Sequence, residues 1–369
     1  MTDIPVISIV TPSFNQGNFI EETIISVISQ EGNFYLEYFI MDGGSTDQTV
    51  EIMKKYDNLL KDGKWPLKCK GIQYKWVSEK DKGQSDAINK GLLKASGDII
   101  GWINSDDFYF PNTFSVVMKH FIEYPEYDFI YGDGDVINNN GDIQWEWRSR
   151  AYDFEVLKSY NFCENQFNNY IMQQATFWRR RVHDHIGLLD ITLHYAMDYE
   201  YWIRAGAKGL RMHHLPFKFG TFRMIEGTKS LSSPLVFWPD AMEIFRRYNG
   251  ATAMKPFLEQ YYFNKGIHNG FNISRIYDIQ DEIFQRWKGL PDDEWNILKV
   301  DAERAFEVAC LMLANKVIST GDIKKAQLFY QYAVAKRFSL YFHPLAIRYY
   351  LRKILVLKIL CNRKAKNNI

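Results

Sequence analysis

The feature that most constrains this 369-residue chain is an alternation of strand-like and helix-like segments over its first hundred residues. Each strand runs into a turn rich in Asp, Asn, Ser or Gly. Val6-Ile7-Ser8-Ile9-Val10 is a short apolar run ending at Thr11-Pro12-Ser13, as expected of a strand buried on both faces. Phe19, Ile20, Thr23, Ile24, Val27 and Ile28 then recur at helical spacing. A second strand over residues 38–41 enters Asp42-Gly43-Gly44-Ser45-Thr46-Asp47, where the glycines permit a tight turn. Ser45 or Thr46 is expected to cap the helix that carries Val50, Ile52 and Met53. The pattern repeats with a strand over 72–77, a loop over 78–83 and a helical stripe of Ala87, Ile88, Gly91, Leu92 and Ala95. A further strand over 99–103 ends in Asn104-Ser105-Asp106-Asp107. Short connections between alternating elements imply an α/β fold, a mostly parallel sheet flanked by helices.

Beyond residue 128 the reading changes. Two strands, 128–137 and 143–147, flank the turn Asn138-Asn139-Asn140-Gly141-Asp142 and are expected to add a hairpin to the sheet. From about Pro234 the chain becomes helical. Glu307 to Ile318 and Ile323 to Ala335 flank Gly321-Asp322 as an αα-hairpin, similar to one tetratricopeptide unit, although one copy makes no solenoid. The expected domains are 1–232, divided at about residue 110, and a helical 233–369.

Lys+Arg (45) and Asp+Glu (44) nearly cancel, so no global basic charge points to nucleic acid. The 16% aromatic content reads first as a large aromatic core. Cys69, Cys163, Cys310 and Cys361 lie far apart without CxxC or metal-ligand spacing, which implies free thiols in a reducing compartment. The N-terminus lacks the pattern of a signal peptide, and no window of about 18 apolar residues occurs, so a cytoplasmic protein is expected. Residues 345–366 mix Arg348, Arg352, Lys353 and a basic tail with large aliphatics. Two readings stay open there: a helix lying on an anionic membrane surface, or a terminal helix docked on the core with a solvated basic end.

Acidic residues gather at the strand ends. Asp42, Asp81, Asp86 and the pair Asp106-Asp107 follow predicted strands or open the next helix, positions that share one edge of an open parallel sheet. Converging carboxylates repel unless a cation is present, and a divalent ion on oxygen ligands, of the kind diphosphates bring, answers that. For Asp42 and Asp86 taken singly, the ordinary use of Asp in turns and caps remains the alternative.

The segments ISIVTPSFNQGNFIEETIISVISQ, MDGGSTDQT, SEKDKGQSDAINKGLLKASGDIIGWINSDD and QQATFWRRRVHDHIGLLDITLHYAMDYEYWIRAG resemble, in order and spacing, the GT-A-fold glycosyltransferases of family 2 over residues 6–230. The resemblance implies an inverting transferase with a nucleotide-sugar half (1–110) and an acceptor half (111–232). It implies that Thr11, Pro12 and Ser13 cradle the nucleoside and that Asp42 accepts a hydrogen bond from the base, favouring a UDP-sugar. Asp81, Gln84 and Asp86 are placed about the base and ribose. Asp106 and Asp107 match the paired aspartates, with Asp106 at the ribose or metal and Asp107 holding Mn²⁺ or Mg²⁺ against the diphosphate. Asp198 aligns with the general base, near a helix N-terminus where its pKa is expected to be lowered. The acceptor class implied is a glycan or polyprenyl-linked saccharide, in cell-surface polysaccharide or glycoconjugate assembly, with peripheral membrane contact through the basic C-terminal helix.

Departures from the family pattern are specific. Met197 stands where an acid usually precedes the base, Ile225 where a metal-contacting histidine is common, and Ile88 where relatives often have Arg. Arg223 and Lys229 remain as expected phosphate neighbours. His213-His214 reads as structural and Arg179-Arg180-Arg181 as a solvated face. A nucleotidyltransferase reading needs a basic phosphate loop, and residues 11–17 contain no Lys or Arg. The alternative outside enzymology is a degenerate transferase that works as a scaffold through its helical half.

Overall fold

The computed structural model of the protein describes residues 4–161, 166–167, 169–225 and 236–366. It divides into two compact units, Met1–Ser159 with Asn168–Asp240, and Tyr160–Phe167 with Ala241–Ile369. The expected boundary at 232–233 falls outside the described residues.

In the first unit the apolar runs become strands and the stripes become helices: β1 (Val6–Ser13), α1 (Ile20–Ile28), β2 (Tyr35–Asp42), α2 (Thr49–Lys61), β3 (Gly71–Ser78), α3 (Gln84–Leu92), β4 (Ile99–Trp102) and α4 (Thr113–Glu123). The hairpin follows as β5 (Phe129–Ile137) and β6 (Ile143–Trp147), then α5 (Phe154–Leu157). β7 (Tyr160–Asn161) and β8 (Gln166–Phe167) form a separate two-stranded ribbon that belongs to the second unit. The first unit continues with β9 (Thr176–Arg179), α6 (Arg181–Ile186), α7 (Met197–Ala207) and β10 (Met212–Arg223), and ends in the first turn of α8 (Trp238–Asn249).

The main sheet has eight strands in the order β10-β5-β9-β4-β1-β2-β3, with β6 paired to β5. β1, β2, β3 and β4 are parallel, as are β10 and β5; β9 runs antiparallel between β4 and β5. Central position explains why β1 is buried from Ile7 onward, whereas the edge strand β3 alternates between covered and open side chains. α1 turns Ile20, Ile24, Val27 and Ile28 onto a core that includes Ile7, Ile9, Leu36 and Ile40.

One expected cap is corrected. α2 starts at Thr49, three residues beyond Thr46, and the Thr49 N–H is satisfied by Asp47 Oδ1 at 3.0 Å. Ser45 instead donates its hydroxyl to Asp42.

The second unit is helical: α9 (Met254–His268), α10 (Ile273–Arg286), α11 (Asp292–Ile318), α12 (Ile323–Lys336) and α13 (Pro344–Lys366). The 27-residue α11 packs against α9, α12 and α13 through buried Leu298, Phe306, Cys310, Leu313 and Val317. The turn at Gly321-Asp322 forms as its chemistry requires: Gly321 has φ +91°, and Asp322 accepts the Lys325 N–H at 3.0 Å to cap α12. No helix among the described residues is long and apolar enough to cross a membrane.

Candidate active site

Parallel strands leave a crevice beyond their carboxyl ends. Here a cleft of about 530 Å³ opens past the ends of β1 and β4, between the loops at 13–16, 81–84 and 104–107 and the last residues of β10. Among the expected site residues, Pro12, Ser13, Asp81, Gln84, Asp106 and Asp107 line it. Thr11, Asp42, Asp86 and Asp198 are outside the lining.

The four acidic clusters are therefore not equivalent. Asp42 is buried, and its Oδ2 accepts the Gly44 N–H (3.1 Å), the Ser45 N–H (2.8 Å) and the Ser78 hydroxyl (2.6 Å), while Oδ1 accepts the Ser45 hydroxyl. That carboxylate holds the tight turn, in which Gly44 takes φ +88°, and it ties β2 to β3. Its Oδ2 is fully taken up and Oδ1 has one donor among the described residues, so its first role is in the turn. Asp86 likewise accepts the Lys82 N–H at 3.0 Å and lies 3.6 Å from Lys90 Nζ. Thr11 sits within β1 with its hydroxyl 3.1 Å from the Tyr38 phenol, buried away from the cleft.

Asp81 differs. Its Oδ1 accepts the Gly83 N–H at 2.8 Å, which leaves Oδ2 for the cleft. Gly83 reaches φ +118° at the start of α3, a conformation that suits glycine and bends the loop over the opening. Ser13 carries the clearest mark of a missing partner. Its Oγ is buried at the cleft wall and has no hydrogen bond among the described residues.

At Asp106-Asp107 the two neighbouring carboxylates differ in how far they are already bonded. Asp107 is 1% exposed, and both its oxygens are committed: Oδ1 to the Arg223 N–H (2.7 Å), Oδ2 to the amides of Gln174 (2.8 Å) and Asn104 (3.2 Å). Burial, and then the neighbouring Asp106 charge, push its carboxyl well above the usual range, while those donors pull it back. Asp107 is a brace across the cleft floor. Asp106 is the one with capacity to spare: its own backbone N–H is the only donor to its carboxylate among the described residues, and burial pushes it up to about 6.

Arg223, an expected phosphate neighbour, has four of its five guanidinium N–H groups engaged. Its Nε donates to the Asp106 carbonyl (2.8 Å), Nη1 to the carbonyls of Asn138 and Asn139 (3.2 Å each) and Nη2 to Glu22 (2.5 Å). Lys229 lies outside the described residues. Ile225 follows β10 as a half-buried residue.

A cation can be tested against these donors. No group of three His, Cys, Asp or Glu side chains able to hold a metal occurs among the described residues. A divalent ion that arrives with a diphosphate needs less, one or two carboxylates with phosphate oxygens and water completing its shell. The desolvated Asp106 fits that requirement more readily than Asp107, which already accepts three hydrogen bonds.

Asp198 stands in the first turn of α7, where among the described residues it accepts only backbone N–H groups, that of Tyr199 and its own. The expectation of a lowered pKa is overturned: burial outweighs the helix terminus and pushes it up to about 6. Met197 in place of an acid is part of the core. Several contacts hold α7 to the donor half. Trp202 stacks on Trp102 of β4 with ring centroids 5.8 Å apart, and Trp178 of β9 packs edge-on against both. α3 grips the loop before α7, with Ser85 donating to the Leu193 carbonyl (3.1 Å) and Asn89 exchanging two hydrogen bonds with Leu189.

Two other expectations resolve locally. In the arginine run, Arg180 and Arg181 are exposed as expected, although Arg181 also pairs with Asp128 at 2.8 Å, whereas half-buried Arg179 donates to the carbonyls of Tyr127 (2.8 Å) and Phe121 (2.6 Å). Arg179 thereby satisfies the Phe121 carbonyl, one of those that α4 leaves open at its end. His213 stacks on Tyr127 and His214 bonds Asp133 at 2.9 Å, so the two rings go to separate partners. Gln173 and Gln174 had no assigned role; Gln173 bonds the Trp102 carbonyl and Asn104, and Gln174 bonds Asp107. The only available signal was a pair of amides opening an apolar strand.

Comparison with known proteins bears on this geometry. The model of glycosyl transferase family 2 matches residues 8–187, which includes every strand that borders the cleft except β10. Those residues are a family 2 glycosyl transferase domain. An uncharacterized glycosyltransferase of Mycobacterium tuberculosis is 34% identical over 107 residues, 29% of this chain and 36% of the relative, so the match spans about a third of that relative's length. A PGL/p-HBAD biosynthesis glycosyltransferase of Mycobacterium bovis is 28% identical over 202 residues, 54% of this chain and 69% of the relative. Residues 1–349 of Staphylococcus aureus TarS, crystallised with UDP-GlcNAc, superpose with a TM-score of 0.54 at 15% identity, covering 82% of this chain and 90% of that one. This likeness establishes a GT-A-type fold for the chain.

Proposed function

We propose that the protein transfers a sugar from a nucleotide-sugar donor to a hydroxyl of a glycan or lipid-linked saccharide, with inversion. The observation that carries this reading is the cleft itself. Within a family 2 fold it presents two unspent acceptors, Asp81 Oδ2 and Asp106, and an unpartnered Ser13 hydroxyl.

Asp81 suits a uracil base. With Oδ1 held by Gly83, it offers one oxygen, which matches the single imide N–H of uracil; the adjacent N–H groups of guanine ask for two. A UDP-sugar is therefore the favoured donor, the nucleotide class with which TarS was crystallised. Ser13 is set to bond the nucleotide, with Gln84 along the same wall. Asp106 would hold Mn²⁺ or Mg²⁺ that accompanies the diphosphate, and such an ion supplies charge stabilisation for the leaving group. Asp107, Gln174 and Arg223 keep the loop bearing Asp106 in place.

Asp198 is the general base of this proposal. Its carboxylate takes the proton of the acceptor hydroxyl as that oxygen bonds the anomeric carbon, and the bond from that carbon to the diphosphate oxygen breaks with its electron pair leaving on the nucleoside diphosphate. A carboxyl near 6 is ionised at neutral pH yet basic enough to share a proton in the transition state. The name of the Mycobacterium bovis relative supports a role in cell-surface glycoconjugate assembly. The free thiols of Cys69 and Cys310 suit a cytoplasmic setting.

The test is calorimetric titration of UDP and GDP, with Mn²⁺ and with EDTA, into the wild type and Asp106→Asn. Tight, metal-dependent UDP binding that needs Asp106 supports the reading; a folded protein that binds neither nucleotide overturns it.

A further inference from the structure

α13 is an amphipathic helix mounted with its aliphatic side outward. Residues 344–366 contain seven Lys and Arg and no Asp or Glu, although the chain as a whole is nearly neutral. A helix of this composition ordinarily turns its aliphatics to the core and its charges to water. Here Ala346 and Tyr349 face the bundle, and two of the cations are drawn in with them: Arg352 donates to the Asn315 carbonyl at 3.0 Å and Lys353 to Gln327 at 3.2 Å. The opposite face carries Ile347, Leu351, Ile354 and Leu355, which are 51%, 64%, 52% and 58% exposed. Their spacing of four, seven and eight residues makes one continuous stripe. Phe342, 72% exposed, extends it at the N-terminal end. Exposed Arg348 sits at its margin.

An aliphatic stripe of this length left in water is unfavourable and calls for an occupant. We infer that α13 is a membrane-surface anchor whose outer stripe enters the headgroup region of a bilayer rich in anionic lipid. The charge pattern selects this occupant. A second copy laid on the same face would bring a helix with no acidic residue against another of the same kind, whereas anionic headgroups complement Arg348 and the basic residues that follow in sequence. The helix lies on the bilayer, since it is too charged to span one. This inference does not depend on the reaction assigned above.

Flotation of the full chain with vesicles tests it. Vesicles of 30% phosphatidylglycerol in phosphatidylcholine are expected to bind the protein at least about tenfold more strongly than phosphatidylcholine alone, with loss in 0.5 M NaCl. Leu351→Asp with Leu355→Asp is expected to reduce that binding at least about tenfold while Tm and UDP titration stay at wild-type values. If the double variant does not fold, Leu351→Gln alone carries the same comparison. Absence of binding to the anionic vesicles, equal binding by wild type and variant, or a wild-type dimer that the variant converts to monomer without vesicle binding would each overturn the anchor.

Discussion

The backbone N–H of Arg223 donates to Asp107 Oδ1 at 2.7 Å, joining residues 116 positions apart and closing the floor of the cleft. That bond divides the adjacent aspartates into a brace and a free ligand, and it sets a direct test. Asp107→Ala leaves two buried donors, the Arg223 N–H and the Gln174 amide, without their acceptor and is expected to cost about 3 kcal/mol of stability, read by chemical denaturation. Asp106→Asn is expected to leave stability unchanged or higher and to abolish the difference in UDP affinity between Mn²⁺ and EDTA. A result with the two effects interchanged would return the metal to Asp107.

The wall of the cleft makes a similar distinction. Asp81→Asn and Ser13→Ala are each expected to weaken UDP binding by roughly tenfold with little change in Tm, because each removes one hydrogen bond made only to ligand. Asp42→Ala is expected to lower Tm, since it strips four donors of their acceptor in the turn after β2. Calorimetry and thermal melts on the three variants measure both quantities.

Asp198 sets the pH dependence. Its folded-state value, about 6, lies above the value near 4 of an unfolded aspartate, so the stability it contributes is present below about pH 4 and is lost as pH rises through about 6. Activity moves oppositely. The base must be ionised, so kcat/KM is expected to rise with pH through about 6 and then level. Asp198→Asn is expected to reduce kcat at least about a thousandfold, leave UDP affinity intact and flatten the stability decline between pH 4 and 6. Near-normal turnover in that variant would remove Asp198 from the mechanism.

Trp202 couples this base to the strand that leads to Asp106. Trp202→Ala is expected to cost about 3–5 kcal/mol, as for loss of a fully buried Trp, and to lower kcat more than donor affinity. Trp202→Phe, which keeps a ring against Trp102, is expected to recover most of both losses. Equal loss of donor affinity in Trp202→Ala would show that the stack supports the whole cleft rather than α7.

The amino-acid sequence by itself determined the α/β alternation, the positions of β1 to β4, the β5–β6 hairpin and the α11–α12 turn. Those features depend on periodicity and turn chemistry within a few residues, as at Gly321-Asp322. It also brought the acidic clusters to one sheet edge, because each follows a strand. Only the tertiary structure decided which of them stay available. Asp42 is satisfied by Ser78, 36 residues away, and Asp107 by Gln174 and Arg223, 67 and 116 away, while Asp106, Asp81 Oδ2 and Ser13 are left for a ligand. Burial likewise reversed the direction expected at Asp198, and packing turned the aliphatics of α13 outward. Hydrogen-bond satisfaction and desolvation depend on neighbours through space, which local sequence does not encode.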